Sequence, residues 1–358
     1  MNHDRRSFLK LSATSVVVVG AGGLLAACGS DAKSGDTSAG GSGPATTTAE
    51  LTKLSAMMPF AVGLNFIADT AAAAGGFAEA NGLDFDLQFA QSAPLALQQL
   101  AAGNVDVIRN APLAVVKAVS QEGAPFVVIG MPNQEMLYDV VSTSEKPIDS
   151  LDQLEGKKVG MATLGGNAED TFTLLMKGAG LDPDSVEKQA VGNDAAALAF
   201  VQDGRVDALF ATIESTATMK AADQDVHVAD LQGVNPLLGT AIVTTTDKIE
   251  NDRAALVAYL RTVDQSMRAV MDSSQRAELL PKVAADFELP ALSDPAKANV
   301  VIDAIAALWV AAGEDNLLRN VPERWADGVT QFEKLKIAKA GSDPTSFYTN
   351  DLLDEATS

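Results

Sequence analysis

A segment of thirteen residues occurs twice in this chain, about 100 positions apart, and it sets the fold. Ala96-Leu97-Gln98-Gln99-Leu100-Ala101-Ala102-Gly103-Asn104-Val105-Asp106-Val107-Ile108 aligns with Ala197-Leu198-Ala199-Phe200-Val201-Gln202-Asp203-Gly204-Arg205-Val206-Asp207-Ala208-Leu209. The shared skeleton is Ala-Leu, then Gly, then Val-Asp. In each copy Ala and Leu suit a helix face turned toward a sheet. Gly suits the left-handed end of that helix, and Val opens a buried strand. A chain that repeats helix, turn and strand in phase is expected to build two similar α/β lobes.

The flanking pattern agrees. Short apolar runs alternate with helical periodicity from Leu51 onward, which is the signature of an α/β sheet. Strands are expected over Leu51–Met58, Phe85–Ala90, Val105–Ile108 and Phe126–Ile129. A second series is expected over Lys158–Ala162, Val186–Val191, Ala208–Ala211 and Val226–Ala229. Helical patterns lie between them over Leu64–Ala80, Leu95–Ala102, Leu113–Gln121, Ala168–Ala179 and Ala195–Asp203. After the β-branched run Thr240–Thr246 the pattern turns helical over Asp247–Met271, Gln275–Asp286, Pro295–Ala312, Pro322–Leu335 and Ser346–Leu353. These helices most economically complete the first lobe. Lobe one is then discontinuous, 51–140 with 240–358, and lobe two is 141–239. The chain crosses near Met136–Thr143 and again near Thr240–Thr246, and the two strand-like crossings form a hinge.

The first 50 residues have another character. Arg5-Arg6 lies in Asp4-Arg5-Arg6-Ser7-Phe8-Leu9-Lys10, and an uncharged run of 17 residues follows from Leu11 to Ala27. A basic n-region, an apolar h-region and small residues before a cut mark a signal peptide, 1–27. The paired arginines resemble the twin-arginine export signal, and Leu25-Ala26-Ala27-Cys28 resembles the lipobox of bacterial lipoproteins. That resemblance makes Cys28 the new N-terminus and the site of lipidation. The alternative is an uncleaved anchor, but the run is short against the ~20 apolar residues a span needs. Residues 28–50 are dominated by Gly, Ser, Thr and Ala and are expected to be a flexible tether with a reach of about 25 Å.

Composition narrows the function. The formal charge is −21, and it becomes −23 without residues 1–27, which carry Arg5, Arg6, Lys10 and Asp4. Such a body repels nucleic acid, so no nucleic-acid partner is expected. Cys28 is the only cysteine. That excludes an intramolecular disulfide, a thiolate cluster and cysteine catalysis in the body. The only histidines are His3, in the signal, and His227, in an apolar strand pattern. Metal-ligand spacings, a Gly-x-Ser-x-Gly elbow and a phosphate loop are absent from the sequence. No cofactor, no metal and no catalysis are expected.

With these pieces in place the chain resembles a solute-binding lipoprotein of a bacterial ABC importer. The branch it resembles binds nitrate, aliphatic sulfonates, taurine or thiamine-pyrimidine precursors. The resemblance rests on Ala102-Gly103-Asn104-Val105-Asp106, Gly123-Ala124-Pro125-Phe126-Val127, Leu154-Glu155-Gly156-Lys157-Lys158-Val159-Gly160 and Asp203-Gly204-Arg205-Val206-Asp207-Ala208. It covers Leu51 to about Met271 well and the last 80 residues weakly. It implies two Rossmann-like lobes of the periplasmic binding protein type II kind, which close on a small polar or anionic solute. It also implies a permease partner, a monomeric body and a place outside the cytoplasmic membrane, held by the lipid on Cys28. The same fold resembles thiamine-pyrimidine synthases of the yeast type and some menaquinone-pathway enzymes. The synthases depend on an active-site histidine and a cysteine-rich iron motif that this chain lacks, and both are cytosolic. A sensory surface lipoprotein is a third possibility that gene neighbours would separate from import.

Ligands of open α/β sheets sit beyond the carboxyl ends of the strands, which turns the strand map into candidate contacts. In lobe one these are Phe60, Gln91, Ser92, Arg109 and Asn110, with Gln134 and Tyr138 at the first crossing. In lobe two they are Thr163, Gly165, Gly166, Asn167, Asn193, Asp194, Thr212 and Glu214. The loop from Thr163 to Asn167 opens a helix, so its free N–H groups suit an oxyanion, while Thr163 or Asn167 suits capping. Ser92 and Asp194 have the same two roles open. Arg109 suits the grip of a sulfonate, carboxylate or phosphate, or an ion pair with an acidic neighbour. Glu214 suits an amine or a pyrimidine donor edge, or the positive end of the following helix.

Overall fold

The structure is a computed structural model and describes residues 50–192, 195–231 and 239–358. The signal, Cys28 and the tether lie outside the described residues, as do Asn193 and Asp194.

The chain opens with strand β1 (Thr52–Met58), a 3-10 turn over Leu64–Phe66, and helices α1 (Ile67–Ala74) and α2 (Phe77–Ala80). The helical pattern over 64–80 is broken at Gly75-Gly76, where Gly76 takes a left-handed φ of 82°. Then come β2 (Leu83–Phe89), α3 (Ala93–Ala101), β3 (Val107–Asn110), α4 (Pro112–Lys117) and β4 (Phe126–Asn133). Next are β5 (Tyr138–Ser142), β6 (Lys158–Met161), α5 (Asn167–Gly178), β7 (Glu187–Ala190), α6 (Leu198–Gln202), β8 (Ala208–Thr212), α7 (Ile213–Ala221) and β9 (His227–Val228). The return consists of β10 (Thr240–Thr245), α8 (Thr246–Asn251), α9 (Arg253–Met271), α10 (Ser273–Asp286), α11 (Pro295–Trp309), α12 (Pro322–Lys334) and α13 (Asp351–Thr357).

Among the described residues the strands form two sheets of five, ordered β2-β1-β3-β10-β4 and β7-β6-β8-β5-β9. The first three strands of each are parallel, and the fourth is antiparallel to its neighbours. Those fourth strands are exchanged. β10 follows the second sheet in the chain yet pairs in the first, and β5 follows β4 yet pairs in the second. Both crossing regions expected as hinge are therefore ladder strands. Tyr138 already pairs with Thr212 of the second sheet, so the first connection is confined to residues 134–137. A β-branched run marks a strand and cannot say which sheet the strand will join.

The sequence repeat is a structural repeat. Gly103 and Gly204 end α3 and α6 with φ of 71° and 68°. The aspartate of each Val-Asp pins the neighbouring parallel strand. Asp106 Oδ2 accepts from the Ser55 N–H at 2.7 Å and from its hydroxyl at 2.8 Å. Asp207 Oδ2 accepts from the Lys158 N–H at 2.8 Å.

The first sheet is buried on both faces. Leu54, Ala56 and Met58 of β1 enter a cluster with Ile67, Tyr259, Leu260, Ile302 and Trp309. Met57, on the other face, joins Val115, Val116, Trp325 and Phe332 in a cluster that continues into the second sheet through Tyr138, Phe172 and Phe210. The returning helices reach beyond the first lobe, because α11 also packs on α7.

Candidate functional site

A groove of about 600 Å³ runs between the sheets' flanking helices. Its lobe-one wall is the small-residue face of α3 and α4, with Ala93, Leu97, Ala111 and Ala114. Its lobe-two wall is α5, from Gly166 and Asn167 to Lys177, and Leu335 and Ile337 close one side. Helix starts after β2, β3 and β6 all open onto it, as the strand-exit rule requires. The volume falls in the range of pockets for organic small molecules, ~300–1,000 Å³. Three predicted residues line it: Asn110, Gly166 and Asn167. Asn110 is held rigidly, with Nδ2 donating to the Ala93 carbonyl at 3.1 Å and Oδ1 accepting the Ala111 N–H at 2.8 Å.

The other predicted residues of lobe one divide between exposed surface and interior. Phe60 and Gln91 are exposed and do not line the groove. Ser92 caps α3 by accepting the Leu95 N–H at 3.4 Å. Arg109 is only 4% exposed and makes a two-pronged pair with the fully buried Asp69. Its Nε and Nη2 donate at 3.3 and 2.9 Å to the two carboxylate oxygens. The guanidinium is therefore not offered to the groove, and of the two roles left open for it the ion pair is the one realised. Gln134 is turned inward as well. Its Nε2 donates to the carbonyls of Met131, Asn316 and Arg319, and its backbone carbonyl accepts from the Arg324 guanidinium. Tyr138 is buried and stacks on Phe210 at 4.9 Å. These two residues hold the first crossing in place and do not wall the groove.

In lobe two, Thr163 is exposed, and Gly165 and Gly166 turn the chain into α5 with φ of 75° and 105°. The Gly165 N–H donates to Glu169 Oε2 at 2.8 Å. That bond, ahead of the Lys188 ammonium, holds the Glu169 carboxyl below its ordinary range against a smaller effect of burial. Thr212 caps α7 by accepting the Ser215 N–H at 3.2 Å.

Glu214 spans the lobes. Its Oε1 accepts the Leu64 N–H at 2.9 Å and its Oε2 accepts the Asn65 N–H at 3.2 Å. Leu64 and Asn65 begin the helical segment that continues as α1, so the carboxylate sits on the positive end of a helix in the other lobe. Of its expected roles, the helix-end interaction is realised, but with a different helix. Burial raises the Glu214 carboxyl above its ordinary value, and the Leu64 and Asn65 N–H groups pull it partly back.

The model of the family described as NMT1/THI5 like matches residues 64–277. The chain belongs to the NMT1/THI5-like family. No curated protein matches it. Among solved structures, the aliphatic sulphonate-binding protein SsuA of Escherichia coli aligns with a TM-score of 0.60 at 18% identity, covering 82% of this chain and 91% of that one. The nitrate-binding protein NrtA of Synechocystis PCC 6803 aligns with a TM-score of 0.60 at 15% identity, covering 86% and 89%. The alkanesulfonate-binding SsuA of Xanthomonas axonopodis pv. citri, bound to MOPS, gives 0.58 at 15%, covering 84% and 97%. At such identities the likeness establishes the fold, which is that of periplasmic binding proteins of type II.

This NMT1/THI5-like chain also has groove residues that the strand exits do not reveal: Gln98, Lys117, Gln121, Asp170 and Thr171. Burial raises the Asp170 carboxyl, Lys117 draws it down, and Glu169 pushes it up. Apart from Asp170, in the first turn of α5, they lie further along helix faces, whereas the strand-exit rule reaches only the first turn. One signal for them exists in the sequence, since Ala111, Ala114 and Ala118 form an apolar stripe at helical spacing with Lys117 beside it. Asp69 has a signal too, as the only charged residue in Ile67-Ala68-Asp69-Thr70-Ala71-Ala72, where a buried acid demands a partner.

Proposed function

We propose that this chain is the solute-binding component of an ABC importer, exported through residues 1–27 and anchored outside the cell by a lipid on Cys28. It captures a small polar solute between its lobes and passes it to a membrane permease without making or breaking a bond. The observation that carries this reading is the exchange of β5 and β10 between two like-ordered sheets, with a groove between the lobes where helix starts converge. Two lobes joined by short connections close by hinge motion, and periplasmic binding proteins are a standard example of it. Membership of the NMT1/THI5-like family and the type II fold support the same role.

The contact set belongs to this reading. Asn110, Gly166 and Asn167 line the groove, and Glu214 ties the lobes. A solute shifts an open–closed equilibrium only through contacts that differ between the states, and groups on both lobes meet that demand. The sulfonates and nitrate in the names of the structural neighbours, with taurine, pyrimidines and amino acids, define the first panel. Thermal denaturation of the purified chain against that panel is the test. A bound solute at about 100 times its Kd stabilises by about 2.7 kcal/mol. Turnover of any panel compound, or no stabilisation by any solute class, would overturn the reading.

A further inference from the structure

The groove is balanced in charge, although the chain is not. The formal charge of the chain is −21, yet the groove is lined by two cations, Lys117 and Lys177, and two acids, Asp170 and Glu122. A solute with a net charge finds no excess of the opposite sign there, whereas a solute carrying one charge of each sign finds a partner for both.

Lys117 and Asp170 belong to opposite walls. Lys117 ends α4 in lobe one, and Asp170 lies in the first turn of α5 in lobe two. Lys117 acts on the Asp170 carboxyl through space, and no hydrogen bond joins the two. Both side chains are exposed, and neither makes an ion pair among the described residues. Glu169, next to Asp170, is already paired with the Gly165 N–H and the Lys188 ammonium. Gly166 supplies no side-chain cap to α5, so the N–H groups of its first turn add donors for an anionic group on the Lys117 side.

The rest of the lining decides what lies between the charges. Leu97, Ala114, Leu335 and Ile337 are aliphatic. Two of the lining amides are spent on the chain itself. Asn110 is bonded to the Ala93 carbonyl and the Ala111 N–H, and Gln121 Nε2 donates to the Lys336 and Ile337 carbonyls at 3.3 and 3.1 Å. That disfavours a hydroxyl-rich solute, which needs free polar partners all round. About 600 Å³ is more room than two charged groups fill, and an aliphatic wall suits an apolar side chain.

Resting on the reading of the chain as a solute-binding protein, we propose that the solute is a zwitterion with an apolar side chain, of the amino acid kind, held by Lys117 and Asp170. Its carboxylate takes the Lys117 ammonium and the N–H groups that open α5. Its ammonium takes the Asp170 carboxylate, and its side chain lies against Leu97, Leu335 and Ile337. The two ends of the solute thus engage the two lobes, which is the kind of contact that shifts an open–closed equilibrium.

The test is calorimetric titration of the purified chain at neutral pH. The probes are leucine and phenylalanine, the one-charge analogues isocaproate and isoamylamine, the zwitterion taurine, which has no side chain, and nitrate. The wild type is expected to bind leucine or phenylalanine at least tenfold more tightly than every other probe. Lys117→Met is expected to weaken amino acid binding at least tenfold and leave isoamylamine unchanged. Asp170→Asn is expected to weaken it at least tenfold and leave isocaproate unchanged. Thermal denaturation without solute checks that both variants fold, and the analogue series in the wild type decides the matter if one does not. A one-charge analogue, taurine or nitrate that binds as tightly as the amino acids overturns the proposal and leaves solute capture standing. Amino acid binding that survives either substitution, or no amino acid binding by the wild type, also overturns it. Failure of every class in the wider panel removes the solute-binding reading itself.

Discussion

Arg109 and Glu214 are the two charged residues among the described strand exits that the sequence offers as contacts, and their surroundings give them opposite characters. Arg109 is compensated by Asp69 in the interior. Removing one partner of such a pair leaves a bare charge and costs about 3–5 kcal/mol. Arg109→Ala is therefore expected to lower unfolding free energy in urea by that amount, with solute affinity of the folded variant unchanged. Replacing both partners by apolar residues should recover most of the loss, and a large affinity change in the single variant would return Arg109 to the site. Glu214 carries the reverse balance, since burial raises its carboxyl. Between the unfolded and the raised folded value the native state holds a proton that the unfolded chain has released, so stability falls as pH rises through that window. Measured against Glu214→Gln, the wild type should have its best relative melting temperature below the ordinary glutamate range and lose ground toward neutrality. A difference that is flat from pH 4 to 7 would contradict this.

At the scale of elements, the two copies of the helix–turn–strand unit are held by the same device but not equally. Burial pushes Asp106 up, but Lys248, the Ser55 N–H and the Ser55 hydroxyl outweigh it and hold the carboxyl below its ordinary range. Its contribution is present above the unfolded pKa and is lost as pH falls through the lower folded value. Asp207 is exposed and has the single bond to Lys158. Asp106→Ala is expected to cost roughly 1.5–3 kcal/mol, the scale of hydrogen bonds to charged groups, and Asp207→Ala distinctly less. Chemical denaturation of both variants at pH 7 checks the order. Element types were legible from period and punctuation, because Gly103 and Gly204 end helices through backbone geometry that neighbours do not alter. Pairing was not legible. Nothing within Thr240–Thr245 states that it will lie between β3 and β4, since that is decided by which apolar faces need covering. The close approach of Gly239 to the Asn133 carbonyl, where no Cβ fits, belongs to the same decision.

At the scale of the whole molecule, the groove between α3, α4 and α5 is the feature on which capture depends. Ala114 is half-buried and faces it. Ala114→Phe adds a ring to open space, so stability should change by less than about 0.5 kcal/mol, as for substitutions away from the core. Solute affinity should fall at least tenfold by calorimetry, and an unchanged affinity would place the solute elsewhere. The candidate contacts were legible only as far as the strand exits. Asn110, Gly166, Asn167 and Glu214 stand where that rule puts them, while Lys117 and Thr171 reach the groove from beyond the first helical turn.

By itself the sequence determined the class of elements, their order, the duplication and the acidic, cysteine-poor body. All of these follow from interactions within a few residues or from composition. Only the tertiary structure decided the exchange of β5 and β10, the loss of Arg109 to Asp69 and the reach of Glu214 to a helix 150 residues away. Charges separated by such stretches of chain meet through packing, and packing is settled by the sum of many apolar contacts that no local pattern records.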